Sequence, residues 1–97
     1  MTETFSRFDA ADYLDTDEGI AAYLEASAAE GDPAVMARAL GTVARARNVS
    51  QLARDTGMTR EGIYKALSAD GNPAFSTVVK VAKALGFRVA FEVITTS

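Results

Sequence analysis

The chain has no cysteine and no histidine. Disulfides, thiol nucleophiles, zinc sites built from Cys or His, and any mechanism that needs an imidazole base are therefore excluded. No serine has a base to activate it, because histidine is absent and no Ser/Lys pair stands in a recognisable setting, so an enzyme is not expected. No apolar run approaches membrane-spanning length. The opening stretch MTETFSRFDAADYL is acidic where a secretory leader would be basic and then apolar. These absences predict a cytoplasmic protein with no membrane partner, no small-molecule substrate and no cofactor. There is also no internal repeat and no low-complexity tract. What is present is apolar material: 48% of 97 residues, enough for one compact core and too little chain for two.

Charge is unevenly distributed. Residues 1–32 hold nine acids and one base, net −8, whereas residues 33–97 hold nine bases and four acids, net +5, which leaves −3 for the whole chain. An acidic first third thus masks a basic remainder that could face phosphate on its own. The plain alternative is that both sets are solvated helix faces. The cluster Asp12, Asp15, Asp17 and Glu18 invites a metal reading, but it lacks the ligand order, central glycine and terminal glutamate of a calcium loop, so no metal is expected.

The pattern along the chain is mainly helical. Residues 1–15 place Phe5, Phe8, Tyr13 and Leu14 among acids without a sustained period, which reads as an extended, docked arm. Ile20, Tyr23, Leu24 and Ser27 then recur at helical spacing, with acids in the first turn, predicting a helix over about 17–30. Asp32 and Pro33 form a cap and first-turn pair opening a second helix to about 47, with Met36, Leu40 and Val43 buried and Asn48 beyond its end. Ser50 is the expected cap of a third helix whose inner face carries Leu52, Ala53 and Thr56, and Gly57 supplies a turn. Thr59 can cap a fourth helix with Ile63, Ala66 and Leu67 inward and Glu61, Tyr64, Lys65 and Ser68 outward. Ser76 is the expected cap of a fifth, burying Val78, Val81, Ala82 and Leu85 and ending at Gly86.

The period changes at FRVAFEVI. Phe87, Val89, Phe91 and Val93 alternate with Arg88, Ala90, Glu92 and Ile94, which predicts a strand over 87–94. A lone strand leaves its backbone groups unpaired, so the simplest partner is the same strand of a second copy, giving a symmetric homodimer. The competing partner is the arm around Thr4 to Phe8. The expectation is one domain over 1–97: an acidic arm and first helix (1–31), a helical core (32–86) and a C-terminal strand (87–94).

The stretch SQLARDTGMTREGIYKAL carries the functional signal. A helix-turn-helix needs a small residue where two helices cross, a turn residue free in its backbone angles, and an apolar anchor on the second helix; Ala53, Gly57 and Ile63 supply these in register with the caps. Arg60, near the start of the second helix, is then the first candidate for a base edge, and Tyr64 and Lys65 can reach a base edge or a phosphate. Ser50, Gln51 and Arg54 are the candidates for phosphate. Two structural readings stand beside these. Glu61 and Lys65 have the spacing of a stabilising surface pair, and Tyr64 can be part of a helix contact.

Beyond that motif, FDAADYL, AAYLEAS, GDPAVMARALGTVARARNVSQLARDTGMTREGIYKALS and GNPAFSTVVKVAKALGFRV together resemble the HigA-like antitoxins, or addiction-module antidote proteins, of the Xre or lambda-repressor-like helix-turn-helix superfamily. The resemblance spans nearly residues 8–89, and by motif match it puts the family's groove-reading, base-edge positions on Thr59, Arg60, Glu61, Tyr64 and Lys65. It implies a mainly α, five-helix lambda-repressor-like domain with the acidic arm and the strand. It also implies an antitoxin that neutralises a small basic toxin of the RelE/ParE-like (HigB-like) class and represses its own operon by binding operator DNA as a dimer. The candidates for toxin contact are Asp9, Asp12, Asp15, Asp17, Glu18 and Glu25, since an acidic face suits a basic partner. The alternatives are a stand-alone or phage-type helix-turn-helix repressor, and an interaction module that has lost DNA binding.

Overall fold

A computed structural model describes residues 14–68 and 70–95. Among these the chain forms five helices and no strand, so the mainly helical expectation holds. Helix α1 is Asp17–Ala29, α2 Pro33–Ala46, α3 Val49–Thr56, α4 Arg60–Ala66 and α5 Phe75–Ala84. The predicted arm over 1–15 lies almost wholly outside the described residues; its last apolar anchor, Leu14, is buried.

Local chemistry accounts for most of the boundaries. The Thr16 hydroxyl accepts from the Gly19 N–H at 2.9 Å and caps α1, whose first turn carries Asp17 and Glu18 beside the positive end of the helix dipole. Asp32 accepts from the Ala34 N–H at 2.9 Å, and Pro33 follows where a missing N–H does no harm. Two expected caps are corrected. Asn48, not Ser50, caps α3, its side chain accepting from the Gln51 N–H at 3.1 Å. The expected end of α2 near 47 holds, with Arg47 as its C-cap; Asn48, just beyond it, takes an extended backbone, and Ser50 falls inside the first turn of α3. Helix α5 opens at Phe75 behind Ala74, with no side-chain cap at all, so Ser76 lies within the helix.

The core has two parts. Leu40, Ala44, Leu52, Ile63, Leu67 and Val81 form one cluster, drawing on every helix from α2 to α5. Leu14, Ile20 and Val43 form the second, and Leu24 and Leu85 pack against both. Helix α2 joins α1 to the rest of the bundle, because its backbone lies close to α1, α3 and α4, whereas that of α1 comes close to α2 alone. Its alanines and Gly41 permit this: a Cβ on Gly41 would stand 2.5 Å from the Leu67 carbonyl oxygen. One polar side chain among the described residues is buried, Ser27, and its hydroxyl donates to the Tyr23 carbonyl at 3.0 Å.

The expected C-terminal strand is not seen among the described residues of the single chain. Helix α5 closes with the Phe87 N–H donating to Ala82 O at 2.8 Å and the Gly86 N–H to Lys83 O at 3.0 Å, with Gly86 at φ 94°, the two bonds of a Schellman stop. Beyond Phe87 no backbone hydrogen bond joins the segment to another described residue. The alternating sequence is real, but a strand exists only as part of a ladder, and the described chain offers no second rung.

Candidate nucleic-acid interface

Helices α3 and α4 meet through three residues, Gly57 to Thr59. Gly57 adopts φ 75°, the left-handed conformation that costs a side-chain-bearing residue about 1–2 kcal/mol. Its N–H and that of Met58 both donate to Ala53 O, at 2.9 and 3.1 Å, so the turn is closed onto the last turn of α3. Thr59 then caps α4, accepting from the Gly62 N–H at 2.9 Å. Ile63 is fully buried, a burial worth about 1.5–3 kcal/mol that fixes the rotation of α4. With Ile63 and Leu67 inward, Thr59, Arg60, Glu61, Tyr64 and Lys65 all face solvent.

This arrangement bears on the paired readings of those side chains. Tyr64 is 42% exposed, so part of its surface is presented outward while the rest is covered by the protein. Among the described residues Glu61 and Lys65 form no ion pair. Glu61 sits in the first turn of α4, where its charge complements the helix dipole. The phosphate candidates on α3 differ among themselves. Ser50 is half-buried, while Gln51 and Arg54 are exposed and joined: the Arg54 guanidinium donates to Gln51 Oε1 at 2.7 Å, and Gln51 Nε2 donates to Asp55 Oδ1 at 2.8 Å. Asp55 was missed by the sequence reading, although its i, i+4 spacing from Gln51 is a usable signal. It holds Gln51 in place, and its negative charge offsets part of the attraction Arg54 offers to phosphate.

The acidic candidates lie elsewhere. Asp9 and Asp12 fall outside the described residues. Asp15, Asp17, Glu18 and Glu25 are exposed. Glu18 and Glu25 share the outward face of α1 with the exposed Ala22 and Ala29. Asp17 is partly engaged: Arg47 at the end of α2 lies 3.7 Å from its carboxylate and donates to the Leu14 carbonyl at 3.5 Å. Of the dimerisation candidates, Phe87 packs against the second core cluster, whereas Val89, Phe91 and Val93 are exposed. Among the described residues no cluster of carboxylates is placed to hold a metal.

A small helical domain with two short helices in tight sequence and an acidic helix packed on α2 narrows the class, and comparison with known proteins supplies the family. Over residues 4–93 the chain matches the family described as "Probable addiction module antidote protein". It is 51% identical over 88 residues to a Haemophilus influenzae protein described only as "Uncharacterized protein", a match covering 91% of each chain. No solved structure matches it. The chain therefore belongs to the addiction-module antidote family, the antitoxins of such modules, and a family of antidotes implies a toxin as partner.

Proposed function

We propose that this protein is the antitoxin of a type II module, neutralising a small basic toxin of the RelE/ParE-like (HigB-like) class and repressing its own operon as a dimer through α3 and α4 acting as a helix-turn-helix. It carries out no catalysis. The observation that supports the DNA-reading half is the outward row on α4, with Ile63 buried behind it. Arg60 reaches toward a guanine edge, Tyr64 and Lys65 toward base or phosphate, and Gln51 and Arg54 toward the backbone. The acidic outer face of α1 supports the toxin half through charge complementarity with a basic partner.

Two experiments test the halves separately. Tagged protein recovered from its host lysate, with nucleases present, is expected to bring down one small basic protein in stoichiometric amount. Recovery of its own dimer alone would favour a stand-alone repressor. Arg60→Ala is expected to weaken operator binding by about 1–3 kcal/mol and relax one base position, with folding and toxin binding intact. Full operator affinity in that variant would remove α4 as the reading helix.

A further inference from the structure

Residues 88–95 carry apolar side chains that nothing in the described chain covers: Phe91, Val93 and Ile94 are 88, 91 and 85% exposed. Their backbone donors and acceptors have no backbone partner among the described residues. We propose that residues 87–94 pair with the same residues of a second copy as an antiparallel two-stranded ribbon, in the register centred on Ala90. This deepens the two-copy reading above and rests on it only for the number of copies.

The register follows from symmetry and charge. Two identical strands related by a two-fold axis pair residue i with a residue whose number sums with i to a constant, and directly opposite residues share a face. Keeping Phe87, Val89, Phe91 and Val93 opposite one another requires that sum to be even. A centre on Val89 sets Arg88 against Ala90. A centre on Phe91 sets Arg88 against Ile94 and Glu92 against Ala90. A centre on Ala90 sets Arg88 against the second copy's Glu92, and by symmetry Glu92 against the second copy's Arg88. It also sets Val89 against Phe91 and Phe87 against Val93. That register alone joins both charges as cross-strand opposite pairs while both apolar pairs stay matched.

A bare two-stranded ribbon is marginal in water, so the apolar face needs a support. Phe87 supplies it. Its ring already packs against the cluster of Leu14, Ile20 and Val43, so the second copy's Val93, opposite Phe87, arrives at the edge of that cluster. Each end of the ribbon is thereby continuous with the core of one copy.

The test uses the full chain and sedimentation equilibrium, with neither toxin nor DNA present, so its failure is distinct from failure of the antitoxin or repressor reading. The unaltered chain is expected to be dimeric at micromolar concentration. Arg88→Glu and Glu92→Arg each turn two attractive pairs into repulsive ones, and each is expected to weaken dimerisation by about thirtyfold. An equimolar mixture of the two variants is expected to recover the dimer, because each then faces its complement. All these positions are exposed, and unchanged thermal unfolding of the diluted monomer checks that the variants fold. In a chain otherwise free of cysteine, Ala90→Cys is expected to cross-link to itself on mild oxidation, whereas Arg88→Cys, about 14 Å from its own copy in this register, is not. A monomeric parent, a dimer indifferent to either reversal, or a mixture that stays monomeric would each overturn the proposal.

Discussion

Gly41 is where the position of the candidate reading helix rests on the absence of one methyl group. In isolation, Gly41→Ala in the middle of α2 should be favourable by about 0.8–1 kcal/mol, since alanine gives up less backbone entropy in a helix. The structure reverses the sign. The new Cβ would meet the Leu67 carbonyl oxygen at 2.5 Å and the Leu67 Cβ at 3.4 Å, so the seam must open by about 0.9 Å to reach ordinary contact. The obstacle is backbone at the end of α4, not a side chain that can swing aside. Ile63 and Leu67, both essentially buried, move with it and loosen against Leu40 and Ala44. Overpacking of this kind costs about 1–3 kcal/mol, and the loosened contacts add to it, which leaves a net loss of about 1–2 kcal/mol after the gain in propensity. For a domain of this size that is a fall in Tm of roughly 5–15 °C. Urea and thermal unfolding of the full chain measure it, and operator binding at a temperature where the variant is folded should fall as well, because α4 is displaced against α3. A Gly41→Ala variant as stable as its parent, or more so, would refute the close approach of α2 and α4.

Other consequences follow from the turn, the caps and the charged faces. Gly57→Val is expected to destabilise by about 1–2 kcal/mol in equilibrium unfolding, entirely through backbone strain, because open space surrounds the new side chain. Asn48→Ala should cost about 1 kcal/mol and Ser50→Ala only a few tenths, an order that would invert if Ser50 were the cap of α3. Replacing Glu18 and Glu25 together by glutamine should weaken toxin capture in a titration, while unfolding stability stays within about 0.5 kcal/mol. Unaltered capture would move the toxin site off the outer face of α1.

Much of this architecture was legible in the residues, and the failures have definite physical causes. Helical periodicity located the five helices of the described residues, and Gly57 and Thr59 marked the turn between α3 and α4, because a left-handed backbone and a cap hydroxyl are local requirements written in local sequence. The cap of α3 was misplaced because Ser50 is a good cap by type, whereas Asn48, read only as the residue beyond α2, is the one whose extended backbone opens the helix. The opening of α5 was misread for the opposite reason, since it has no side-chain cap to find. Strand periodicity at 87–94 described a side-chain pattern correctly but not a state, because pairing depends on a second segment and the pattern is silent on where it lies. The Arg47 contacts to Leu14 and Asp17 join residues thirty or more positions apart, beyond the reach of any local rule.

The acidic character of a protein proposed to read DNA becomes intelligible once the position of α2 is considered. The backbone of α1 comes close only to α2, while α4 meets α2 through Gly41 and Leu67. Each packed pair of helices is separated by about 8–10 Å between axes. Glu18 and Glu25 thus sit on a helix whose backbone does not come close to α4, and charges farther apart than the screening length of about 8 Å at physiological salt act on one another only weakly. The repulsion of phosphate by Glu18 and Glu25 is damped beyond that length, whereas Arg60 and Lys65 act on phosphate at contact, where screening is weakest. Net charge is thus the wrong quantity for judging whether this chain can approach a polyanion. What matters is which charges lie within a screening length of the binding face, and there the bases of α3 and α4 are opposed by Asp55 and Glu61 alone among the acids of those two helices. The same separation lets one surface engage a basic protein while another engages nucleic acid, so on the proposed function the two partners do not compete for the same residues.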